Sequence, residues 1–241
     1  MRAAVVSTWN VHECLGRDGE RDPGRVAEVL KEIAADVFAL QEIHSDEHRG
    51  GALDQAGFLA EALDLEPVFG PTLERRGGRY GNLLLTRLPL LGVRRHDLSI
   101  RGREPRGALE VDFESPLGRL RVVATHLGLR ASERAAQARV LLDGLRPPEP
   151  GETLVVLGDW NEWLPWRAAL RLPRRRYGVF PTPRTFPAWR PAFALDRVWL
   201  APRAHLEAIR AHRSPLAIQA SDHLPLVASL RAGGFGRRQT A

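Results

Sequence analysis

The sequence predicts a mixed α/β fold in which buried β-strands alternate with amphipathic α-helices. Residues 154–157, Leu-Val-Val-Leu, form a short apolar run between Gly151 and Gly158, which is typical of a strand buried on both faces. Residues 22–33 begin with Asp-Pro, a preferred helix start, and then repeat apolar side chains at helical spacing. Because the chain has 241 residues, of which 44% are hydrophobic, it is long enough for one large domain with a full core.

Four strands and two helices are predicted in the first third of the chain. The first strand, residues 3–12, carries Asn10 to its exit, and the apolar strand of residues 36–42 ends at Glu42. The helices and the two remaining strands cover residues 22–33 and 53–63, and residues 65–71 and 83–86. His44 and His48 flank acidic residues in the loop after the second strand, and a solvated loop is favoured there over a metal cluster.

The rest of the chain predicts more strands with two intervening helices. A polar, arginine-rich loop over residues 94–106 leads into a hairpin with a Pro-Gly turn, whose second strand ends at His126. Pro173 is expected to end a short helix and to leave the arginines of residues 174–176 in a loop. The predicted strands are residues 108–113, 120–125, 154–159, 195–200, 204–211 and 226–230, and the predicted helices are residues 131–145 and 165–172.

Cysteine content and hydropathy indicate the compartment. Cys14 is the only cysteine, so the fold contains no internal disulfide and does not need an oxidising environment. The apolar residues near the N-terminus are too few for a signal peptide, and no stretch approaches the roughly 20 apolar residues of a membrane span. We therefore expect a cytoplasmic protein with no transmembrane segment.

The charge has two interpretations. A net charge of +6 and a pI near 10.7 would suit a partner rich in phosphates. However, Lys31 is the only lysine in a chain rich in arginine, alanine, proline and glycine, which can equally reflect a compositional bias of the source genome. The compositional interpretation is slightly favoured, and arginine runs are then solvated surface.

Eight polar residues lie at strand ends or beside them, where a rigid scaffold usually builds a site. Each alone has an ordinary explanation: His126 could be a core histidine, Asp196 could pair with Arg197, and Asp222 could cap a turn. All eight together favour a functional site. They are Asn10, Glu42, His126, Asp159, Asn161, Asp196, Asp222 and His223.

The motifs around these residues resemble the ordered motifs of the endonuclease/exonuclease/phosphatase superfamily, the deoxyribonuclease I-like fold. The resemblance runs from about residue 5 to about residue 230. It implies a four-layered α/β sandwich of two packed β-sheets flanked by helices, in a single catalytic domain over residues 1–231. Separately, the glycines and arginines near the C-terminus predict a disordered tail over residues 232–241. The motifs are Thr8-Trp9-Asn10, Leu40-Gln41-Glu42, Tyr80-Gly81-Asn82, Thr125-His126-Leu127, Gly158-Asp159-Trp160-Asn161, Leu195-Asp196-Arg197-Val198 and Ser221-Asp222-His223.

The resemblance also implies a metal-dependent phosphoester cleavage site that uses Mg²⁺ or Mn²⁺. It makes Glu42 the principal metal ligand, with Asn10 and Asp222 as further contacts. The catalytic set that it implies places Asp159 at the attacking water, helped by Asn161, and makes His223, held by Asp196, the cation that stabilises the transition state. His126 matches a histidine with a secondary acid role. The phosphate contacts implied are Asn10, Asn161, His126 and His223.

The sequence leaves three alternatives for the function. The first is nuclease-like cleavage of a phosphodiester, with the arginines of residues 94–106 and 171–176 along a nucleic-acid backbone. The second is hydrolysis of a small or lipid-linked phosphoester beside Trp163, Trp166 and Trp189, although core packing is favoured for most of these rings. The third, an inactive binding module, is disfavoured because no expected polar residue is replaced. Inositol polyphosphate phosphatase activity is doubtful because that branch's signature is interrupted between residues 187–189 and 196–197.

Overall fold

The structure, a computed structural model, describes residues 3–45, 54–75 and 78–231. These residues form eleven strands, β1 (Ala3–Asn10), β2 (Val37–Ser45), β3 (Glu66–Arg75), β4 (Gly78–Thr86), β5 (Leu90–Asp97), β6 (Gly107–Ser115), β7 (Gly118–His126), β8 (Glu152–Asp159), β9 (Asp196–Ala201), β10 (Leu206–Ala211) and β11 (Leu226–Arg231). They also form five α-helices, α1 (Pro23–Ile33), α2 (Gln55–Leu63), α3 (Ala131–Gly144), α4 (Ala168–Tyr177) and α5 (Pro215–Ala220). No helix among the described residues is long and apolar enough to span a membrane.

The strands form two mixed sheets packed face to face. The first has six strands in the order β10-β11-β1-β2-β4-β3, and the second has five in the order β5-β6-β7-β8-β9. The pairs β1–β2 and β7–β8 are parallel, so the carboxyl ends of both strands of a pair lie at the same edge of their sheet. With helices outside each sheet, the predicted four-layered sandwich is confirmed.

Continuous apolar runs arise because an inner strand buries both of its faces. In β2, Val37 and Ala39 face the other sheet, whereas Phe38 and Leu40 face the layer of α1, α2 and α5. The run of residues 154–157 behaves in the same way, since every residue of β8 is buried. The start of α1 also follows the prediction, because the Asp22 carboxylate accepts a hydrogen bond of 3.0 Å from the backbone N–H of Arg25.

The expected loop over residues 94–106 is wrong for its first part, which belongs to the edge strand β5. Most side chains of β5 are exposed, so the strand lacks the apolar alternation that predicts a strand. Its pairing with β6 is supported instead by cross-strand charges. The Arg94 guanidinium lies 2.8 Å from a Glu110 carboxylate oxygen and 2.7 Å from one of Asp112.

The helix end predicted at Pro173 is also wrong, because α4 continues through this proline to Tyr177. Proline removes one backbone donor, but the packing of Leu170 and Tyr177 into the core cluster that contains α3 outweighs that loss. The arginines of residues 174–176 therefore lie in the last helical turn. Arg176 donates to the backbone carbonyls of Leu142 and Leu145 at the end of α3, so it has a structural role.

Other elements were missed or lie outside the described residues. Helix α5 is too short to show helical periodicity and was not predicted, although Ser214 caps it through a 3.0 Å bond from the N–H of Ala217. The loop prediction at His48 and the tail prediction over residues 232–241 fall outside the described residues. The loop prediction is wrong for His44, which lies within β2 with a side chain that is only 17% exposed.

A buried ionic cluster stabilises the five-stranded sheet. The Arg121 side chain is fully buried and lies 3.2 Å from Glu110 and 3.3 Å from Glu152. Burial alone would raise the pKa of the Glu110 carboxyl, but hydrogen bonds from His96 and Arg94 lower it to about 2. Because its pKa in the folded state is depressed, Glu110 stabilises the fold fully above its ordinary pKa near 4.5 and loses that contribution as the pH falls toward 2.

Glu110→Gln is therefore expected to lower the unfolding free energy at pH 7 by about 3 kcal/mol, since it leaves buried cations without their partner. The difference from the wild type should shrink between pH 4.5 and pH 2, which urea unfolding across that range would measure. Glu114→Gln, at an exposed position of the same strand, serves as the control and should change little. An undiminished difference at acidic pH would contradict the assigned ionisation.

Candidate active site

Polar side chains of both sheets meet at one rim of the sandwich. The strand register of the second sheet places His126 beside Asp159 and Asp159 beside Asp196. The ends of β1 and β2 bring side chains from the first sheet, and the loops that follow β8 and precede β11 supply the others. Seven predicted residues lie in this group, namely Asn10, Glu42, His126, Asp159, Asn161, Asp196 and His223.

Asn10 joins the two sheets. Its amide nitrogen donates to a carboxylate oxygen of Glu42 at 2.8 Å and to Oδ2 of Asp159 at 3.2 Å. Its amide oxygen accepts a 3.0 Å bond from the backbone N–H of His12, which fixes the orientation of the amide. The amide oxygen is thus already engaged, and Asn10 holds two carboxylates together.

Glu42 sits on an irregular point of β2. The pairing of β2 with β4 shifts between Leu40 and Ile43, and Glu42 has a φ of +62°. A bulge of this kind turns a side chain toward a site at the cost of local strain. The Glu42 side chain is 20% exposed. It lines a shallow cleft together with Thr72, Tyr80, Gly81, Asn82, Arg106 and His126.

His223 and Asp196 form a buried charged pair. The Asp196 carboxylate oxygen Oδ2 lies 2.9 Å from Nδ1 of His223 and also accepts a 2.5 Å bond from the Thr185 hydroxyl. Burial alone would lower the pKa of His223, but the charges of Asp196 and Asp159 raise it to about 10. The imidazole is therefore a cation at neutral pH, and its Nε2 lies 3.8 Å from Oδ2 of Asp159.

His126 differs from His223 in that its pKa is lowered and its ring is neutral. Burial, reinforced by the positive charge of Arg106, lowers its pKa to about 3, so the ring is neutral. The Asn161 amide nitrogen lies 2.9 Å from the carbonyl oxygen of Leu127 and 3.0 Å from Nε2 of His126. Since a carbonyl can only accept, that amide group is a donor and Nε2 is an acceptor. This state favours a positioning role over the predicted acid role, which stays a prediction.

Asp159 is held from both sides. Its Oδ1 accepts a 2.8 Å bond from the backbone N–H of Asn161, while Oδ2 takes the bond from Asn10. The same Oδ2 lies 3.6 Å from Nε2 of His126. A nearly fully buried carboxylate with these fixed neighbours has a defined orientation toward the centre of the site.

Asp222 lies at the rim of this group. Its carboxylate lies 3.4 Å from the Ser221 hydroxyl and 3.8 Å from the His12 ring, and its side chain is 43% exposed. Among the described contacts, none joins it to Glu42. Ser221, in turn, donates to the backbone carbonyl of Asn10 at 2.8 Å, which anchors the loop to β1.

A metal ion has two candidate positions, one at a group of three side chains and one at Glu42. Ligand atoms of Asp159, Asp196 and His223 lie within 4.8 Å of one another. However, Asp196 occupies one ring nitrogen of His223, and the raised pKa keeps the other protonated, so this ring is a poor ligand. The partly exposed Glu42 carboxylate at the cleft is the better candidate, because hard divalent cations prefer oxygen ligands and keep several waters.

Sequence reasoning gave no role to Thr185 and considered Arg106 only as one of the arginines of residues 94–106 that could lie along a nucleic-acid backbone. Thr185 orients Asp196, yet it lies in a segment predicted only as irregular. Arg106 is buried at the cleft, whereas the sequence shows it as one of several arginines in a polar stretch. Asn82 belongs to a quoted motif, and its amide donates to the carbonyl of Gly107 at 3.2 Å, which ties the first sheet to the second.

The core-packing interpretation is wrong for three tryptophans. Trp163, Trp166 and Trp189 are 43%, 67% and 53% exposed. The Trp163 ring packs against Phe186 and Phe193, with ring centres 5.6 Å and 4.7 Å away. Because the Phe186 ring centre lies 4.9 Å from that of His223, the exposed Trp163 ring lies near the site.

The two packed sheets and their flanking helices define a fold of the deoxyribonuclease I-like class, and the comparisons agree with this class. The chain belongs to the endonuclease/exonuclease/phosphatase family, whose model matches residues 7–223. Members of this family are metal-dependent hydrolases of phosphoester bonds.

Similar proteins come from bacteria and animals. The uncharacterized protein YbhP of Escherichia coli K12 is 30% identical over 219 residues, which cover 84% of this chain and 86% of that protein. An endonuclease/exonuclease/phosphatase from Beutenbergia cavernae is 29% identical with a TM-score of 0.77, covering 97% of this chain and 72% of that one. The human Nocturnin catalytic domain has a TM-score of 0.71 at 21% identity, covering 95% of this chain and 93% of that one, and supports the fold alone.

Proposed function

We propose that this protein hydrolyses a phosphodiester bond, in the manner of a nuclease, by attack of water on phosphorus. The observation that carries the proposal is the junction at which Asn10 joins the partly exposed Glu42 to the buried Asp159. The Nε2 atom of a protonated His223 lies 3.8 Å from the same Asp159 oxygen. A metal-ligating carboxylate, a second carboxylate to align water and a fixed cation are the parts that phosphoester hydrolysis needs.

Glu42 would hold the divalent cation, either Mg²⁺ or Mn²⁺. Its carboxylate is an oxygen donor at a solvent-reached cleft, and Asn10 fixes one of its oxygens, so the donor chemistry fits these ions. When bound, such a cation neutralises charge on the phosphate oxygens. Because the Asn10 oxygen accepts from His12 and Asp222 lies at the rim, both are weaker candidates for metal ligands than Glu42.

The remaining side chains have distinct proposed roles. Asp159, fixed by Asn10 and Asn161, aligns the attacking water and takes its proton. His223 donates from Nε2 to a phosphoryl oxygen and stabilises the charge that develops there. Asp196 is a positioning residue, since it orients the His223 ring and keeps it protonated.

A small or lipid-linked phosphoester is the second candidate substrate, favoured by the exposed Trp163 beside the site. An inactive binding module is disfavoured, because every polar residue that the family resemblance leads us to expect is present. The single catalytic domain over residues 1–231, the tail over residues 232–241 and the cytoplasmic location remain predictions from the sequence.

A substrate panel tests the proposal. We expect turnover of a bis-aryl phosphodiester and of plasmid DNA or RNA with Mg²⁺ or Mn²⁺, complete loss of turnover with EDTA, and recovery when the metal is restored. Inositol phosphate and phospholipid serve as the competing substrates. Turnover of phospholipid alone would favour the second candidate, and failure of every substrate would refute hydrolysis.

Glu42→Gln tests whether Glu42 binds the metal ion, because the variant keeps the size of the side chain and the hydrogen bond to Asn10 but loses the charge. Titration calorimetry with Mn²⁺ should show weaker binding in this variant, and Glu61→Gln, in helix α2, should bind as the wild type does. Unchanged Mn²⁺ affinity in Glu42→Gln would place the cation elsewhere.

A further inference from the structure

The segment between Asn161 and Asp196 has an unusual charge. Residues 163–195 contain seven arginines and no aspartate or glutamate. Two of these arginines have structural roles, because Arg174 and Arg176 donate to backbone carbonyls of Pro165 and of the end of α3. Arg184 and Arg190 are exposed and have no ion-pair partner among the described residues.

The same segment carries a cluster of rings that leads to the site. Trp163 packs on Phe193 and on Phe186, and the Phe186 ring centre lies 4.9 Å from that of His223. The rings are therefore continuous from solvent to the group proposed to contact the phosphoryl oxygen. Trp166 and Trp189, both largely exposed, lie within three positions of this cluster along the chain.

The segment is also hydrogen-bonded to the loop that precedes β11 and carries His223. The backbone N–H of Ala188 donates to the carbonyl of Asp222 at 2.7 Å, and the N–H of Leu224 donates to the carbonyl of Thr185 at 2.8 Å. A ligand that rests on these rings is thus placed in register with His223.

We propose that Trp163, Trp166, Trp189, Phe193, Arg184 and Arg190 form a binding surface for single-stranded nucleic acid beside the scissile phosphate. This inference rests on the proposed function and names its substrate class. Unpaired bases expose flat faces that stack on aromatic side chains, and each nucleotide brings a phosphate for an arginine. A duplex keeps its bases stacked inside and cannot use the rings.

A membrane surface fits less well. Tryptophan and arginine also occur at bilayer interfaces, but insertion needs a broad apolar face. In residues 163–195, Val179 is the one large aliphatic side chain that is exposed, whereas the rings pack edge to face near His223. A single-stranded nucleic acid fits better, because its phosphates match the arginines and its bases match the aromatic cluster.

Binding can be tested separately from hydrolysis. A fluorescently labelled phosphorothioate oligothymidylate, which resists cleavage, is titrated with the protein in Mg²⁺ and followed by anisotropy. Trp163→Ala should weaken the Kd about tenfold. The double variant Arg184→Gln/Arg190→Gln should reduce the slope of log Kd against log salt by about 1.4, since each phosphate contact to a single strand contributes about 0.7.

Phe58→Ala and Arg210→Gln are matched controls, because both side chains are exposed on other elements, α2 and β10. Both should bind as the wild type does, and thermal melting checks that all variants fold. Wild-type affinity in the surface variants, equal affinity for duplex, or binding to phosphatidylglycerol vesicles without oligonucleotide binding would overturn the surface. If the wild type cleaves the bis-aryl diester but does not bind the oligonucleotide, only this inference fails; binding without any turnover would refute the proposed function instead.

Discussion

Asp159→Asn is expected to lower kcat for phosphodiester hydrolysis by about 10³-fold, with little change in KM. The substitution keeps the size of the side chain and its contact with the Asn161 backbone N–H, which is 2.8 Å long in the wild type. It removes the negative charge and the ability of Oδ2 to take a proton from water. The measurement is steady-state turnover of a bis-aryl phosphodiester in saturating Mg²⁺ or Mn²⁺.

The control for this variant is Asp143→Asn, which changes an exposed carboxylate on α3 and should leave turnover unchanged. Thermal melting and circular dichroism establish that Asp159→Asn folds, because the side chain it replaces is buried. A folded Asp159→Asn protein with full turnover would remove Asp159 from the role of base.

The strands of the site were predictable because their sequence signals are local. The run before Asp159 is apolar on both faces and ends in glycine, and β8 is buried along its whole length. A polar residue that directly follows such a strand must lie at the sheet edge, which is why Asn10, His126 and Asp159 were found. The layered arrangement itself came from the order of the motifs.

The features that the sequence did not predict depend on contacts between residues distant in sequence. Strand β5 pairs through Arg94 with acids of β6, and α4 passes Pro173 because its buried face packs with the α3 layer. Neither effect changes local periodicity. Likewise, the bulge at Glu42 depends on the pairing of β2 with β4, which is distant in sequence. The bond from Asn10 to Asp159 depends on the packing of the two sheets.

His223→Gln is expected to lower kcat by 10²-fold to 10³-fold, about the effect of removing one charged donor to a transition state. Mn²⁺ affinity, measured by calorimetry, should be nearly unchanged, because the ring is protonated and already engaged by Asp196 at 2.9 Å. This separates His223 from Glu42, whose replacement should weaken Mn²⁺ binding. A His223→Gln protein that loses Mn²⁺ binding would instead make the ring a ligand.

Asp196→Asn tests the positioning role of Asp196 through the pH dependence of kcat/KM. The raised pKa of His223 gives the direction of the expected change. Burial alone lowers the pKa of this imidazole, and the charge of Asp196 is the largest of the effects that raise it to about 10. The wild type should keep its catalytic cation, and hence its kcat/KM, until the pH approaches 10. Without the carboxylate, burial prevails, so the alkaline loss of kcat/KM should move to lower pH, and kcat should fall about 10²-fold near neutral pH. An alkaline limb at the same pH in both proteins would mean that Asp196 does not maintain the charge of His223.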